Sequence, residues 1–268
     1  MKDLTMRDVV SKVQIHMPFH LLPEHQKIVL EHRLNLEIYF NQHVLKNLDK
    51  EKCRKIAKIL NEAGLKITFH APFMDLRPGA LDDKIRQVSV DRMKKAIELA
   101  QYFRPLRIVC HPMFDDRYYV DCDDLWLEAS VKSWAELIPL AKEYDTVLSL
   151  ENVYDKGPRL LRRLFEALAS DSVCFCFDTG HFNAFSYASL KVWFRELGKY
   201  LGQLHLHDNF GQKDEHLAVG EGTFPFAALF AVLGKRKIKP VITLEAHDQK
   251  AFWKSLENIK EAGFLDFI

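Results

Sequence analysis

An eightfold alternation of strand-like and helix-like segments constrains the fold of this sequence most. Eight short apolar runs rich in β-branched and aromatic residues are separated by segments with helical periodicity. The runs are residues 13–18, 35–40, 66–72, 107–112, 147–153, 173–181, 203–209 and 241–247. In segment 91–103, for example, Met93, Ile97 and Ala100 are spaced to share one helix face. This pattern predicts an α/β protein with parallel strands and crossover helices, and eight units in 268 residues predict a single (β/α)8 TIM barrel domain over residues 1–268.

A doubly wound open sheet is the alternative fold for alternating strands and helices. The dinucleotide-binding form of that fold places a glycine-rich phosphate turn directly after the first strand. Residues 13–23 contain no glycine. The sequence therefore favours the barrel.

Composition narrows the classes of partner and compartment. The formal net charge is +1, which gives no overall attraction toward nucleic acids or anionic membranes. Three of the five cysteines, Cys110, Cys174 and Cys176, lie in predicted strands, and the odd total lacks disulfide-like spacing. We therefore expect a reducing compartment. The chain also lacks a signal-peptide pattern or a run of about 18 apolar residues, so we expect a cytoplasmic protein.

Side chains that can bind metals occur at the carboxyl ends of six of the eight predicted strands. They are His70, His111, Glu151, Asp178 with His181, His205 with His207, and Glu245 with His247. In a TIM barrel these ends meet at one mouth, where active sites lie. Any one of them has an ordinary structural explanation, but burying so many carboxylates and imidazoles together is costly unless a cation compensates. The nitrogen and oxygen donors predict a divalent metal, with Zn or Mn favoured and Co, Mg or Fe also compatible.

Further candidate residues lie in loops near the same mouth. Asp214 and His216 are two residues apart after the seventh strand, so both can project to one side of an extended loop. A solvated polar loop explains the same residues without a ligand role. Lys213 is a weaker candidate for binding a substrate phosphate, and Phe73, just after His70, is a weaker candidate for a pocket wall.

At these residues the sequence resembles the xylose isomerase-like superfamily, which includes sugar phosphate isomerases and epimerases and the AP endonuclease family 2 with endonuclease IV. The resemblance runs from about residue 13 to residue 263. The motifs that carry it are HAPF at 70–73, CHP at 110–112, ENV at 151–153, FDTGH at 177–181, HLHDN at 205–209, DEHLAVGEG at 214–222 and LEAH at 244–247. In this order they are specific for the superfamily, but not for one reaction.

Resemblance to the sugar isomerase and epimerase branch implies one metal ion held by Glu151, Asp178, His205 and Glu245. His205 is chosen over His207 by alignment, and His207 becomes a weaker substrate-binding candidate. Glu151 and Glu245 would also be the catalytic acid and base, and His181 would bind a substrate hydroxyl or carbonyl. The implied reaction is proton transfer on a small sugar or sugar phosphate through a metal-stabilised enediolate.

Resemblance to endonuclease IV implies a different chemistry at the same mouth. That enzyme holds three zinc ions with nine ligands, which match the four residues above together with His70, His111, His181, Asp214 and His216. The alternative function is therefore a trinuclear zinc phosphodiester hydrolase, with one to three ions per chain overall. The net charge of only +1 and the absence of interleaved basic and aromatic residues disfavour a nucleic-acid substrate and favour a small carbohydrate. A non-catalytic metal- or sugar-binding barrel is the third hypothesis, and the Glu151/Glu245 pair argues against it.

Overall fold

A computed structural model of the chain describes residues 4–266 and contains a closed barrel of eight parallel strands in chain order. Each strand pairs in parallel with the next, and β8 pairs with β1. The strands are β1 (Gln14–Pro18), β2 (Asn35–Tyr39), β3 (Ile67–His70), β4 (Arg107–Cys110), β5 (Val147–Glu151), β6 (Val173–Asp178), β7 (Leu201–Leu206) and β8 (Val241–Leu244). The predicted (β/α)8 barrel is confirmed.

Helices surround the barrel and connect its strands. They are α1 (Met6–Lys12), α2 (Leu22–His32), α3 (Gln42–Lys46), α4 (Lys50–Glu62), α5 (Asp83–Glu98), α6 (Ala100–Phe103), α7 (Asp123–Glu143), α8 (Arg159–Leu168), α9 (Thr179–Phe185), α10 (Leu190–Leu197), α11 (Phe226–Arg236) and α12 (Gln249–Glu261). The stripe predicted in segment 91–103 is buried, since Met93, Ile97 and Ala100 each expose 1% or less of their surface. Trp126, Trp134 and Trp193 on the helices are likewise buried.

Several predicted runs extend past the ends of their strands, and the sixth is the case that matters for the site. The apolar run 173–181 continues past the sixth strand, but the strand stops at Asp178 and α9 begins at Thr179. The carboxylate of Asp178 accepts a hydrogen bond from the backbone N–H of His181 at 2.6 Å and so caps the new helix. His181 therefore reaches the barrel mouth from the first turn of a helix.

None of the five cysteines, all within the described range, forms a disulfide, and Cys110, Cys174 and Cys176 are buried in strands. Within residues 4–266, no helix combines the length and the apolar character needed to cross a bilayer.

Candidate metal centre

The nine predicted ligand residues lie together at the carboxyl ends of the strands. His70, His111, Glu151, Asp178, His181, His205 and Glu245 expose at most 8% of their surface, while Asp214 and His216 are half-buried. Such burial of charged and ionisable groups requires close partners of opposite charge. The barrel supplies those partners from β3 to β8 and from two loops.

Glu151 lies at the centre of the cluster. Its Oε2 is 3.0 Å from His111 Nε2 and 3.5 Å from His70 Nε2, and its Oε1 is 3.2 Å from His181 Nδ1 and 3.3 Å from His205 Nδ1. Both carboxylate oxygens are inaccessible to solvent and lack a hydrogen bond of acceptable geometry. Each oxygen therefore lies near two histidine nitrogens. A carboxylate that bridges two cation-binding positions has the same arrangement.

His205 lies between three carboxylates. Its Nδ1 is 3.2 Å from Glu245 Oε1, 3.3 Å from Glu151 Oε1 and 3.8 Å from Asp178 Oδ2. Single donor atoms of these four residues all lie within 4.8 Å of one another. The Nδ1 atom is buried without a hydrogen bond. One nitrogen and three carboxylates at this spacing fit one divalent cation, and they are the four residues that the resemblance implies.

A second group of donors comes from the loop after β7. Asp214 Oδ2 is 3.0 Å from His216 Nε2 and 3.3 Å from His181 Nε2. His216 has a backbone φ of 51°, a left-handed conformation that a non-glycine residue adopts at a cost of about 1–2 kcal/mol. In this conformation the imidazole of His216 faces Asp214 rather than solvent.

Backbone carbonyls fix the orientation of three of the histidines. The Nδ1 atoms of His70, His181 and His216 lie 2.9–3.0 Å from the carbonyl oxygens of Ala71, Asn152 and Glu245, respectively. A neutral imidazole that donates from Nδ1 presents the lone pair of Nε2. Metal-binding histidines are oriented in this way, so these contacts fit a ligand role.

Two residues that the sequence reasoning missed complete the cluster. Glu37 on β2 is fully buried, and its carboxylate oxygens lie 3.1 and 3.2 Å from His205 Nε2. His16 on β1 has its Nδ1 2.9 Å from Glu245 Oε1. The available signal was an ionisable residue in the middle of a strand, because alternate residues of a barrel strand face the interior. All eight strands therefore contribute to the mouth or to its support.

His207 supports the cluster from behind. Its Nε2 is 2.9 Å from Asp178 Oδ2, and its ring stacks on His216 at 3.9 Å between centroids. A Cβ on Gly180 would lie 2.0 Å from this ring, which explains the glycine in FDTGH. His207 is buried away from the cavity described below, so its contacts suit the positioning of Asp178 better than substrate binding.

Asp208 anchors the loop that carries Asp214 and His216. Its carboxylate accepts hydrogen bonds from the backbone N–H groups of Gly220, Gly222 and Phe224 at 2.8–3.2 Å. Its backbone also pairs with Leu217 in an isolated antiparallel bridge. These bonds hold the DEHLAVGEG segment against the end of β7 and so place its two donor side chains at the mouth.

Electrostatic coupling within the cluster is strong. Burial alone would raise the pKa of Glu151, but His205 and His111 hold it well below its usual range. Burial alone would lower the pKa of His181, but Asp178 and neighbouring carboxylates raise it well above its usual range. The cluster is thus built to retain positive charge among its carboxylates, either as protons on histidine or as a cation.

A cavity of about 600 Å³ opens onto the cluster. Glu151 and Glu245 both line it, and so does Phe73, whose ring stacks on His111 with centroids 4.6 Å apart. None of the described residues that line this cavity is a lysine or an arginine. Lys213 is exposed, lies 3.6 Å from Glu215 and is not among the lining residues of this cavity.

Comparison with known proteins agrees with this fold. A family model described as the xylose isomerase-like TIM barrel matches residues 35–264. MJ1311 of Methanocaldococcus jannaschii is 27% identical over 221 residues, which cover 80% of this chain and 75% of that protein. A D-tagatose 3-epimerase-like protein has a similar structure, with a TM-score of 0.82, 24% identity and coverage of 95% and 97% of the two chains. TTHB071 of Thermus thermophilus, whose crystal was soaked with zinc chloride, has a TM-score of 0.74 at 21% identity and coverage of 92% and 98%.

Proposed function

The chain belongs to the family of xylose isomerase-like TIM barrels, and we propose that it is a divalent-metal-dependent isomerase or epimerase of a small, uncharged sugar. The observation that carries this proposal is the arrangement of Glu151 and Glu245. Both carboxylates line one cavity, and both lie 3.2–3.3 Å from the same nitrogen of His205. Two carboxylates that flank one bound molecule are the arrangement needed to remove and return a proton.

In this proposal the side chains divide the work by position. Asp178, His205 and the two glutamates would hold the metal, which when bound polarises the oxygens of a carbonyl sugar. One glutamate accepts the proton from the carbon beside the carbonyl. The other glutamate supplies a proton to the opposite face of that carbon or to its neighbour. A substrate bound in the cavity would displace water that competes for the proton.

The cavity lining supports an uncharged substrate. A phosphate group is usually held by Lys, Arg or a helix N-terminus. No cationic lysine or arginine lies among the described lining residues, and apolar side chains dominate the wall away from the donor cluster. We therefore favour a free sugar or a neutral derivative over a sugar phosphate or DNA.

Donor chemistry supports Zn or Mn as the ion. The four central donors are one imidazole and three carboxylates, and the surrounding histidines add nitrogen ligands. Cys176 is near Glu151 and His205, but burial raises the pKa of its thiol well above the usual range, so the thiol stays protonated and is a poor ligand.

Solvent-proton exchange tests the proposed reaction. The protein loaded with Mn or Zn is incubated in D2O with a panel of keto- and aldohexoses, and NMR detects deuterium at the carbon beside the carbonyl. We expect exchange and conversion with at least one sugar, and loss of both in Glu151→Gln and Glu245→Gln. Glu257→Gln, on the exposed side of α12, is the matched control. Full activity in either of the first two variants would remove that glutamate from the acid/base role.

A trinuclear hydrolase is the second candidate, and one specific observation favours it. The donors form three groups: His70, His111 and Glu151; the central four; and Asp214 with its neighbouring histidines. Three zinc ions per chain, measured by mass spectrometry on protein purified without added metal, together with cleavage of bis(p-nitrophenyl) phosphate or abasic-site DNA, would establish this function. One ion per chain and no phosphodiesterase activity would exclude it.

A further inference from the structure

The cavity continues beyond the donor cluster into a space walled by apolar side chains. Six residues define this apolar chamber: Met17, Leu21, Ile28, Val29, Phe252 and Trp253. They come from β1, from α2 and the turn before it, and from α12. The chamber and the donor cluster belong to one continuous cavity. A single ligand can therefore reach both.

The strand register explains why this space exists. β1 pairs with β2 up to Pro18 and Tyr39, but its pairing with β8 ends at Ile15 and Leu244. The last residues of β1 consequently have a strand neighbour on one side only. Side chains of α2 and α12 line the gap without closing it, and Met17 and Trp253 remain partly accessible.

The size and chemistry of the chamber indicate what occupies it. The whole cavity, at about 600 Å³, falls in the range of pockets that enclose drug-sized ligands, about 300–1,000 Å³, and exceeds what one six-carbon sugar fills. Apolar walls gain little from sugar hydroxyls, because buried hydroxyl groups need hydrogen-bond partners. They gain from an apolar group that displaces water.

We infer that the substrate is a sugar that carries an alkyl or aryl substituent, with the sugar at Glu151 and Glu245 and the substituent in the apolar chamber. This inference rests on the proposed isomerase or epimerase function and adds the class of substrate. The sugar's hydroxyl and carbonyl oxygens meet the polar cluster, while the substituent covers Ile28 and Trp253. A plain hexose leaves the chamber hydrated and binds more weakly.

Binding of unreactive glycosides tests the chamber directly. Dissociation constants of the metal-loaded protein are measured by calorimetry for methyl and phenyl β-D-glucopyranoside. We expect the phenyl glycoside to bind at least about tenfold more tightly, since full burial of an aromatic group is worth more than one factor of ten. Equal affinities would overturn the inference.

Variants place the substituent in the chamber. Ile28→Trp fills the space from α2, and we expect it to reduce the phenyl-to-methyl affinity ratio to near one. Ile85→Trp, at an exposed isoleucine of α5 outside the cavity, should keep the wild-type ratio. Thermal unfolding checks that both variants fold. An unchanged ratio in folded Ile28→Trp would place the substituent elsewhere and overturn the inference.

The exchange assay with free hexoses separates this inference from the function on which it rests. Exchange with free sugars but equal binding of the two glycosides overturns the chamber assignment alone. Failure of every sugar to exchange and of both glycosides to bind overturns the substrate class and the proposed function together.

Discussion

Replacing Glu37 by glutamine is the sharpest test of how the barrel prepares its metal centre. Glu37 Oε2 accepts hydrogen bonds from Thr68 Oγ1 at 3.1 Å, Thr243 Oγ1 at 3.0 Å and Gln203 Nε2 at 2.6 Å. The same carboxylate holds His205 Nε2, so that Nδ1 of His205 faces the other three central donors. Glu37 thereby selects the ring orientation and raises the basicity of the proposed ligand nitrogen.

The expected effect follows from keeping the shape and removing the charge. A glutamine retains an oxygen that accepts these hydrogen bonds, but it no longer carries the negative charge behind the imidazole. Loss of such outer partners typically weakens metal binding about 10–100-fold. That range corresponds to about 1.4–2.7 kcal/mol. We expect Glu37→Gln to weaken the binding of Zn by this factor while the barrel still folds.

Chelator competition measures the zinc dissociation constant directly and needs no knowledge of the substrate. Glu257→Gln, an exposed glutamate replaced in the same way, is the control and should keep the wild-type constant. Thermal unfolding of the metal-free proteins shows whether Glu37→Gln is folded. A folded Glu37→Gln protein with the wild-type dissociation constant would refute the positioning role.

Three further predictions concern residues around the centre. Burial raises the pKa of Asp155 to about 7. Between about pH 4 and pH 7 the folded state therefore keeps a proton on this carboxyl that the unfolded state has lost. The contribution of Asp155 to stability is full below about pH 4 and is lost as the pH rises toward 7. Over that window the free energy of unfolding of Asp155→Asn should rise relative to the wild type by about 1.4 kcal/mol per pH unit, measured by urea unfolding. A difference that does not depend on pH would contradict the raised pKa. Gly180→Ala should lower the free energy of unfolding by about 1–3 kcal/mol through the clash with the His207 ring, whereas Gly157→Ala, with 3.5 Å to its nearest neighbour, should change it little. Lys213→Ala should leave KM for the substrate within about twofold, and a tenfold increase would return Lys213 to the binding site.

The fold and the clustering of the candidate ligand residues could be predicted from the sequence because both depend on strand ends. Apolar runs mark the strands, and a His, Asp or Glu that ends such a run lies at the mouth whatever the details of packing. Glu151, His205 and Glu245 follow this rule, and the structure brings them within ligand distance of one another. Because the barrel is closed and its strands are parallel, strand ends that lie far apart in the chain meet at one mouth.

The parts that could not be predicted depend on which way side chains point within a strand and on where neighbouring strands pair. Glu37 and His16 occupy positions inside strands, where only the interior or exterior orientation decides whether a polar side chain meets the centre. The apolar chamber depends on the two-residue pairing of β1 with β8, and no local sequence signal specifies where such pairing stops. His181 was placed on a strand because FDTGH continues an apolar run, whereas the capping bond of Asp178 starts a helix there.

The net charge of the centre differs between the two candidate functions, and Glu37 contributes to it. His205 lies near four buried carboxylates, those of Glu37, Glu151, Asp178 and Glu245. One divalent ion among them leaves two negative charges. Burying that surplus is costly unless nearby histidines keep their protons, as the raised pKa of His181 allows. With Asp214 included, three divalent ions against five carboxylates leave one positive charge and require neutral histidines. Ion number is therefore linked to protonation, because each further ion must displace protons from the histidines that would bind it. The number of bound ions and the protonation of these histidines therefore distinguish a one-ion sugar site from a three-ion phosphoester site.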